Sequence, residues 1–535
     1  MNTKMKTLLL TLTSLCLFNV SAFGQQPIVE NNGERAPVTK AAAVNSPSQP
    51  ASLRLADTIQ RGQNLFSLDE VSAAQIAAAD EEAIKAHPNS GQRPPRVGMV
   101  REVSRTFGPG SFVNVAPAAA DERKVWAMAL RSPRALAIRL RFVNFDIGEA
   151  SVIVYARNGD EVITLGPFSG KGPQQSGDFW TLSLPGDTAF IEFSGTGEPR
   201  LEVAEVMNYD KNLGAIIQKQ SEGLNQAQPP EEHSCFLDVM QESVNTDARD
   251  ATGWIAFRQA NGGLVFACSG TLLNDLDGET VVPYFLTASH CDITAANVNS
   301  VDVRFLFQRN PANGAVPNVF TLPGLSGGVE LAFNGQGGND MTFLRLNGQV
   351  PAGVKLANWS TGGVDHNSYG IHHPNGTFKK VTFFQPSDRN DCGYDDEYHI
   401  VDVTRGGHAG GSSGSGLFNS SGQLIGHLRG ICPKGGDKIT CAGDDGDRSI
   451  YGKFSVTYPL IRRWLEIGGT INVNRFHGGN ELGTPSEPYR TVNGGYNLAW
   501  DNTRLKIKPG SYNEAVTFSK PMTILADGGT VTIGR

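Results

Sequence analysis

Residues 284–291 read Tyr-Phe-Leu-Thr-Ala-Ser-His-Cys, an apolar run that ends in small residues and a histidine. Such a run, bounded by a turn, predicts a buried strand that holds His290 in a defined place. Cys291 can staple that turn to Cys268, which opens the preceding Cys-Ser-Gly-Thr-Leu-Leu strand. Residues 410–418 read Gly-Gly-Ser-Ser-Gly-Ser-Gly-Leu-Phe, a serine among glycines just before another strand. Glycines there let the N–H groups of Gly411 and Ser413 converge on one point, the arrangement that stabilises an oxyanion in acyl transfer. A Gly/Ser cluster alone is commonly a flexible loop, and a lone histidine is commonly structural. Together they point to Ser413 as nucleophile and His290 as its base. The third member must be a carboxylate that orients the imidazole. Asp340, in Asn-Asp-Met-Thr-Phe-Leu-Arg-Leu (339–346), precedes an alternating strand between the histidine and the serine in chain order. Asp302, in Val-Asp-Val-Arg-Phe, is the competitor, and its place in a strand predicts a solvent-facing side chain.

These segments resemble the His, Asp and Ser motifs of trypsin-like serine proteases, and the order His, Asp, Ser is the chymotrypsin one. More narrowly, the chain resembles bacterial lysyl endopeptidases over about residues 233–467. The further landmarks are Ser234-Cys235, Gly370-Ile371-His372-His373-Pro374 with Lys379-Lys380, and Tyr451-Gly452-Lys453. The resemblance implies a double β-barrel, a catalytic triad of His290, Asp340 and Ser413, and no cofactor. A rival motif, the G-x-S-x-G nucleophile elbow, would make Ser412 the nucleophile, but it needs acid and histidine after the serine and alternating helices. The sequence beyond Ser413 offers His427 and His477 without that helical pattern.

Two departures matter. In trypsin-like zymogens the residue before the nucleophile is an aspartate that pairs with a newly made N-terminus. Here it is Ser412. Activation by an inserted N-terminus is therefore not expected, and the upstream region is expected to act as folding aid and steric inhibitor, removed by cutting near Lys211 or Lys219. The resemblance also implies an S1 aspartate, but the matching positions hold Ser449 and Gly407. Either Asp447 reaches the pocket and keeps a preference for Lys or Arg, or His408, His427 and Arg429 line it and favour acidic side chains. The third alternative is that these three only pack.

The rest of the 535 residues frames this region. Length predicts roughly three or four folding units. Charged residues make up 19%, with 62 glycines and 29 prolines, as in loop-rich β proteins. A net charge of −7 gives no basic footprint for nucleic acid. Residues 1–24 have the basic start, apolar centre and small-residue end of a secretory signal, too short in its apolar part for a membrane anchor. Residues 25–95 read as a partly ordered pro-segment with a helix near Leu68–Ala86, and 96–208 as a β-sandwich pro-domain. Residues 209–232 read as a linker, 233–468 as the protease domain closed by a helix over Tyr458–Ile467, and 469–535 as a β-helix-like segment. Strands are expected there at Leu505–Ile507, Glu514–Phe518, Met522–Leu525 and Thr530–Ile533. Once the signal is removed with Cys16, the other six cysteines (235, 268, 291, 392, 432 and 441) read as disulfides, since none has C-x-x-C metal spacing. The expected protein is a secreted monomeric serine endopeptidase acting on proteins or peptides, with its own pro-domain as partner. The alternative is a catalytically inactive, protease-like binding or adhesion protein.

Overall fold

The fold is mainly β. It is seen in a computed structural model that describes residues 28–31, 49–86, 94–116, 123–211, 235–312, 314–388, 393–394, 396–432, 440–442 and 448–534. The expected signal sequence, most of the expected linker, Lys219, Asp447 and Cys392 lie outside these residues.

Between residues 96 and 209, alternating strands form two facing sheets. One contains Arg96–Phe107, Ala137–Val143 and Leu201–Tyr209; the other contains Lys124–Arg131, Ser151–Asn158, Glu161–Ser169 and Thr188–Gly195. Phe107, Phe142, Val152, Phe179, Ile191 and Val203 fill the space between them. The sandwich is thus present, but it is not set apart from the sheet C-terminal to it. Strand Arg96–Phe107 pairs with Leu201–Tyr209 on one edge and with Leu264–Leu273 on the other, so one sheet runs from the sandwich into the next region. At Gly98 a Cβ would lie 2.4 Å from the carbonyl oxygen of Asn208, so only glycine permits this approach. The fully buried Arg139 adds a second tie, donating to the carbonyls of Ser300 and Val301.

Beyond the junction, Thr252–Arg258, Leu264–Leu273, Tyr284–Ala288, Asp302–Phe305, Gly328–Asn334 and Met341–Leu346 form a curved antiparallel sheet. A second set closes on itself. Strands Ser368–His372, Lys380–Pro386, Tyr398–Arg405, Arg448–Lys453, Leu424–Cys432 and Gly416–Phe418 pair in that order, and the last returns to the first. This is a closed β-barrel with no free edge along its ring. The helix after the barrel runs Phe454–Ile467 and starts four residues earlier than the sequence pattern suggests. Its first residue, Phe454, is buried against Trp359, with ring centroids 5.4 Å apart.

Other elements correct the reading from sequence. The helix in the N-terminal segment runs Ala73–Ala86, beginning later than Leu68, because Ser72 and Gln75 cap it reciprocally. Asp302 does not face water. It is fully buried under the sandwich, accepting from Ser183 N–H at 3.0 Å and paired with Arg304 at 2.8 Å. In the tail, Thr470–Val473, Thr503–Ile507 and Met522–Ala526 pair in parallel, as do Gly510–Tyr512 and Val531–Ile533. Glu514–Phe518 is not a strand, because the Glu514 carboxylate instead caps the N–H groups of Val492 and Asn493 at 2.9 Å each.

Replacing Gly98 by alanine forces two backbones apart. The expected cost is about 1–3 kcal/mol, read as a lowered denaturation midpoint; an unchanged midpoint would contradict the close approach.

Candidate active site

Strand Tyr284–Ala288 pairs along its whole length with Met341–Leu346, and both stop at the same end of the sheet. His290 follows the first strand and Asp340 precedes the second, so the ladder itself brings them together. The His290 Nδ1 lies 2.6 Å from Asp340 Oδ2. The other carboxylate oxygen accepts from Ser289 Oγ at 2.6 Å and from the His290 N–H at 3.0 Å. A carboxylate only accepts, so Nδ1 carries a proton, and the other ring position, Nε2, is the one that can gain or lose one. That Nε2 is buried and has no hydrogen-bond partner among the described residues.

Asp340 has a left-handed backbone, φ 62°, uncommon for a residue with a side chain. Its carbonyl is held by the Ser289 N–H at 2.9 Å and by His427, whose Nε2 lies 2.9 Å and 3.0 Å from the carbonyls of Asn339 and Asp340. Burial alone would raise the Asp340 pKa. The His290 charge and hydrogen bond, then the Arg429 charge, outweigh burial and hold it down to about 2. Arg429 reaches this carboxylate at 3.1 Å from a bulged position between Leu428 and Gly430. His427 and Arg429, candidates for a substrate pocket from sequence, are therefore directed to Asp340.

Ser413 is brought to the same place by the disulfide Cys268–Cys291 and by Ser269. The Ser269 N–H donates to the Ser413 carbonyl at 2.9 Å, and Cys291 Sγ lies 3.9 Å from that oxygen. At Gly414 a Cβ would sit 2.2 Å from Thr287 Oγ1, so glycine lets the serine turn dock on the histidine strand. The turn's carbonyls are also fixed. Gly410 accepts from Asn375 N–H at 2.6 Å, and Ser412 accepts from Ser415 N–H at 3.1 Å. Because a trans peptide directs its N–H opposite to its C=O, these bonds also set where the N–H groups of Gly411 and Ser413 point.

Of the other candidates, Gly407, His408 and Ser449 do come together: His408 Nε2 and Ser449 Oγ are hydrogen-bonded, and both side chains are fully buried. Burial pushes the His408 pKa down to about 3, so its ring is neutral near pH 7. A second disulfide, Cys235–Cys441, ties the start of this region to the strand beside Gly407. Among the described residues no three His, Cys, Asp or Glu side chains stand together as a metal-ligand set. The sequence pattern assigns no role to Ser289, Ser269 or Pro95. Ser289 and Ser269 lie inside the histidine and Cys-Ser-Gly motifs, yet their partners are 51 and 142 residues away. Pro95 sits at the edge of this site, its carbonyl accepting from Ala267 N–H at 3.0 Å.

Residues 231–449 match the family model described as lysyl endopeptidase, C-terminal domain. The chain resembles bacterial lysyl endopeptidases. A lysyl endopeptidase of Pseudomonas aeruginosa is 26% identical over 355 residues, covering 62% of this chain and 71% of the relative. Among solved structures, the Rv3671c protease of M. tuberculosis in its active form is 12% identical, covering 44% of this chain and 93% of that one, with a TM-score of 0.27. Its inactive form is 11% identical over 41% and 90%, with a TM-score of 0.26. The lysyl endopeptidase match spans His290 and Asp340 as well as the Ser413 turn.

The depressed Asp340 pKa stabilises the fold above the ordinary carboxylate range, and this stabilisation is lost as pH falls through about 2. The stability gap between the parent chain and Asp340→Asn should therefore narrow by about 2 kcal/mol from pH 5 to pH 2. Denaturant midpoints at the two pH values measure it; a gap independent of pH would contradict the ionised, paired state.

Proposed function

We propose that this protein is an exported serine endopeptidase that cleaves peptide bonds through an acyl-enzyme on Ser413. The observation that carries the reading is the His290–Asp340 pair, with an imidazole Nε2 left for a proton and the Ser413 turn clamped beside it. In this mechanism His290 removes the Ser413 hydroxyl proton as the oxygen attacks the scissile carbonyl, then gives that proton to the departing amine. Water repeats the sequence to release the acid. Asp340 stays ionised and favours the transient imidazolium. The N–H groups of Gly411 and Ser413 receive the oxyanion, each donor contributing about 3–4 kcal/mol of barrier lowering. The curved sheet carrying His290 and the closed barrel carrying Ser413 correspond to the two barrels of the trypsin-like fold, and the parallel tail to the start of a β-helix.

A preference for Lys or Arg at P1 fits the similarity to lysyl endopeptidases. The neutral His408–Ser449 pair does not repel a cation, and Asp447 is the acid assigned to meet it. Export fits the two disulfides, which persist in oxidising compartments. The sandwich acts as a pro-domain. It lends a strand to the catalytic sheet, and Pro95 Cδ would lie 3.3 Å from a Cβ on Gly411, at the edge of the oxyanion turn.

A fluorophosphonate probe is expected to label the chain, and Ser413→Ala to abolish labelling. Absence of labelling in the parent would favour the inactive binding protein. In a peptide library, cleavage should follow Lys and Arg and fall at least tenfold in Asp447→Asn; indifference to P1 would remove the basic-pocket assignment. Residues 220–535 expressed alone should fail to reach full activity, whereas full activity would end the folding-aid role.

A further inference from the structure

The turn that precedes Ser413 is held by a chain of hydrogen bonds whose directions follow from the Gly407 carbonyl. His372, at the end of strand Ser368–His372, is 1% exposed. Its Nδ1 lies 2.9 Å from Ser412 Oγ and its Nε2 lies 2.9 Å from Thr382 Oγ1. The Thr382 hydroxyl is also 2.9 Å from the Gly407 carbonyl, and Ser412 Oγ is 3.3 Å from the Ala409 N–H. A carbonyl accepts only, so Thr382 gives its proton to Gly407 and must accept from His372. Nε2 therefore carries the ring proton and Nδ1 the lone pair. Ser412 donates to that lone pair and accepts from Ala409. The Gly407 carbonyl sets these directions, and the Ala409 N–H is compatible with them.

The chain starts at the Ala409 N–H and ends at the Gly407 carbonyl, so it closes over His408. It also anchors Ser412, whose carbonyl belongs to the peptide that carries the Ser413 N–H. The neighbouring residue works on the other side of the same turn: His373 N–H donates to Ser269 Oγ at 2.9 Å, and that hydroxyl donates to the Gly411 carbonyl at 2.8 Å. We propose that His372 is a positioning residue for acyl transfer, a neutral clasp that orients the oxyanion turn through Ser412 where an ion pair with a new N-terminus is absent. The inference rests on the hydrolase reading and adds the device that keeps its turn in order.

The clasp operates only with an uncharged ring. A second proton on Nδ1 would face the Ser412 donor, so the Ser412 hydroxyl would lose its acceptor and have to turn its proton away from the ring. Burial holds the His372 pKa well below its ordinary value, and the nearby His408, His373 and Lys380 act in the same direction. Thr382 and Ser412, its two hydrogen-bond partners, carry no charge, and the His408 ring meets it edge-on with centroids 6.1 Å apart.

Two measurements on the full chain test this. The first is the imidazole nitrogen spectrum of His372 between pH 5 and 8, assigned by its loss in His372→Asn. A neutral ring protonated on Nε2 is expected; an Nδ1–H tautomer or an imidazolium in that range overturns the clasp. The second compares Thr382→Val, Thr382→Ser and Ser412→Ala for fluorophosphonate labelling rate and for kcat and KM on a peptide. Thr382→Val and Ser412→Ala should lose about 10- to 100-fold in labelling rate and kcat, with KM within about threefold, while Thr382→Ser stays near the parent. Equal losses in the valine and serine variants, or a change in KM alone, overturn the positioning role. If the parent labels and Thr382→Val labels equally fast, only that role falls. If the parent does not label at all, the hydrolase reading falls and takes the catalytic meaning of the clasp with it, while the tautomer still decides the hydrogen-bond chain.

Discussion

A carboxylate with no exposed surface stays ionised only when donors surround it, and the whole site is organised around how Asp340 meets that demand. Ser289 Oγ, the His290 N–H, His290 Nδ1 and Arg429 converge on its two oxygens. Each comes from an element that the fold must bring there: the histidine turn supplies three, and the bulged barrel strand supplies the guanidinium. The strained backbone at Asp340 is carried by the same neighbours, since Ser289 and His427 hold its carbonyl. Removing the charge would therefore take from the half-buried Arg429 its carboxylate partner and loosen the imidazole at once.

Around this carboxylate and the Arg429 guanidinium, the buried imidazoles on the barrel side avoid charge. His372, His373 and His408 are buried and kept neutral by desolvation. Neutral rings offer one donor and one acceptor, which suits them to directional chains such as the one through Ser412. The shared strand Arg96–Phe107 joins the upstream region to the sheet that carries His290.

The meeting of His290 and Asp340 was legible in the sequence because both stand at the ends of strongly patterned strands. The runs at 284–288 and 341–346 are apolar enough to be recognised, and their pairing carries His290 and Asp340 together. The parts that were not legible depend on register or on distant cover. Asp302 looks like a wet strand residue until Ser183, 119 residues earlier in the chain, is laid over it. Arg429 could be read either as lining a pocket or as packing, because nothing local reveals the bulge that turns it toward Asp340. The strands between 96 and 209 were readable from their spacing, but their continuity with the sheet that carries His290 was not. That continuity rests on the pairing of Arg96–Phe107 with Leu264–Leu273, strands more than 150 residues apart whose register shifts between Val265 and Phe266, and no local pattern announces it.

The central claim is that Ser413 forms a covalent acyl intermediate, with His290 and Asp340 moving the proton. A slowly hydrolysed acyl ester, followed by intact mass and then peptide mapping, addresses this directly. The account predicts a transient gain of one acyl group located on Ser413. An acyl group on Ser412, or turnover of the ester with no acylated protein at any time, would contradict it.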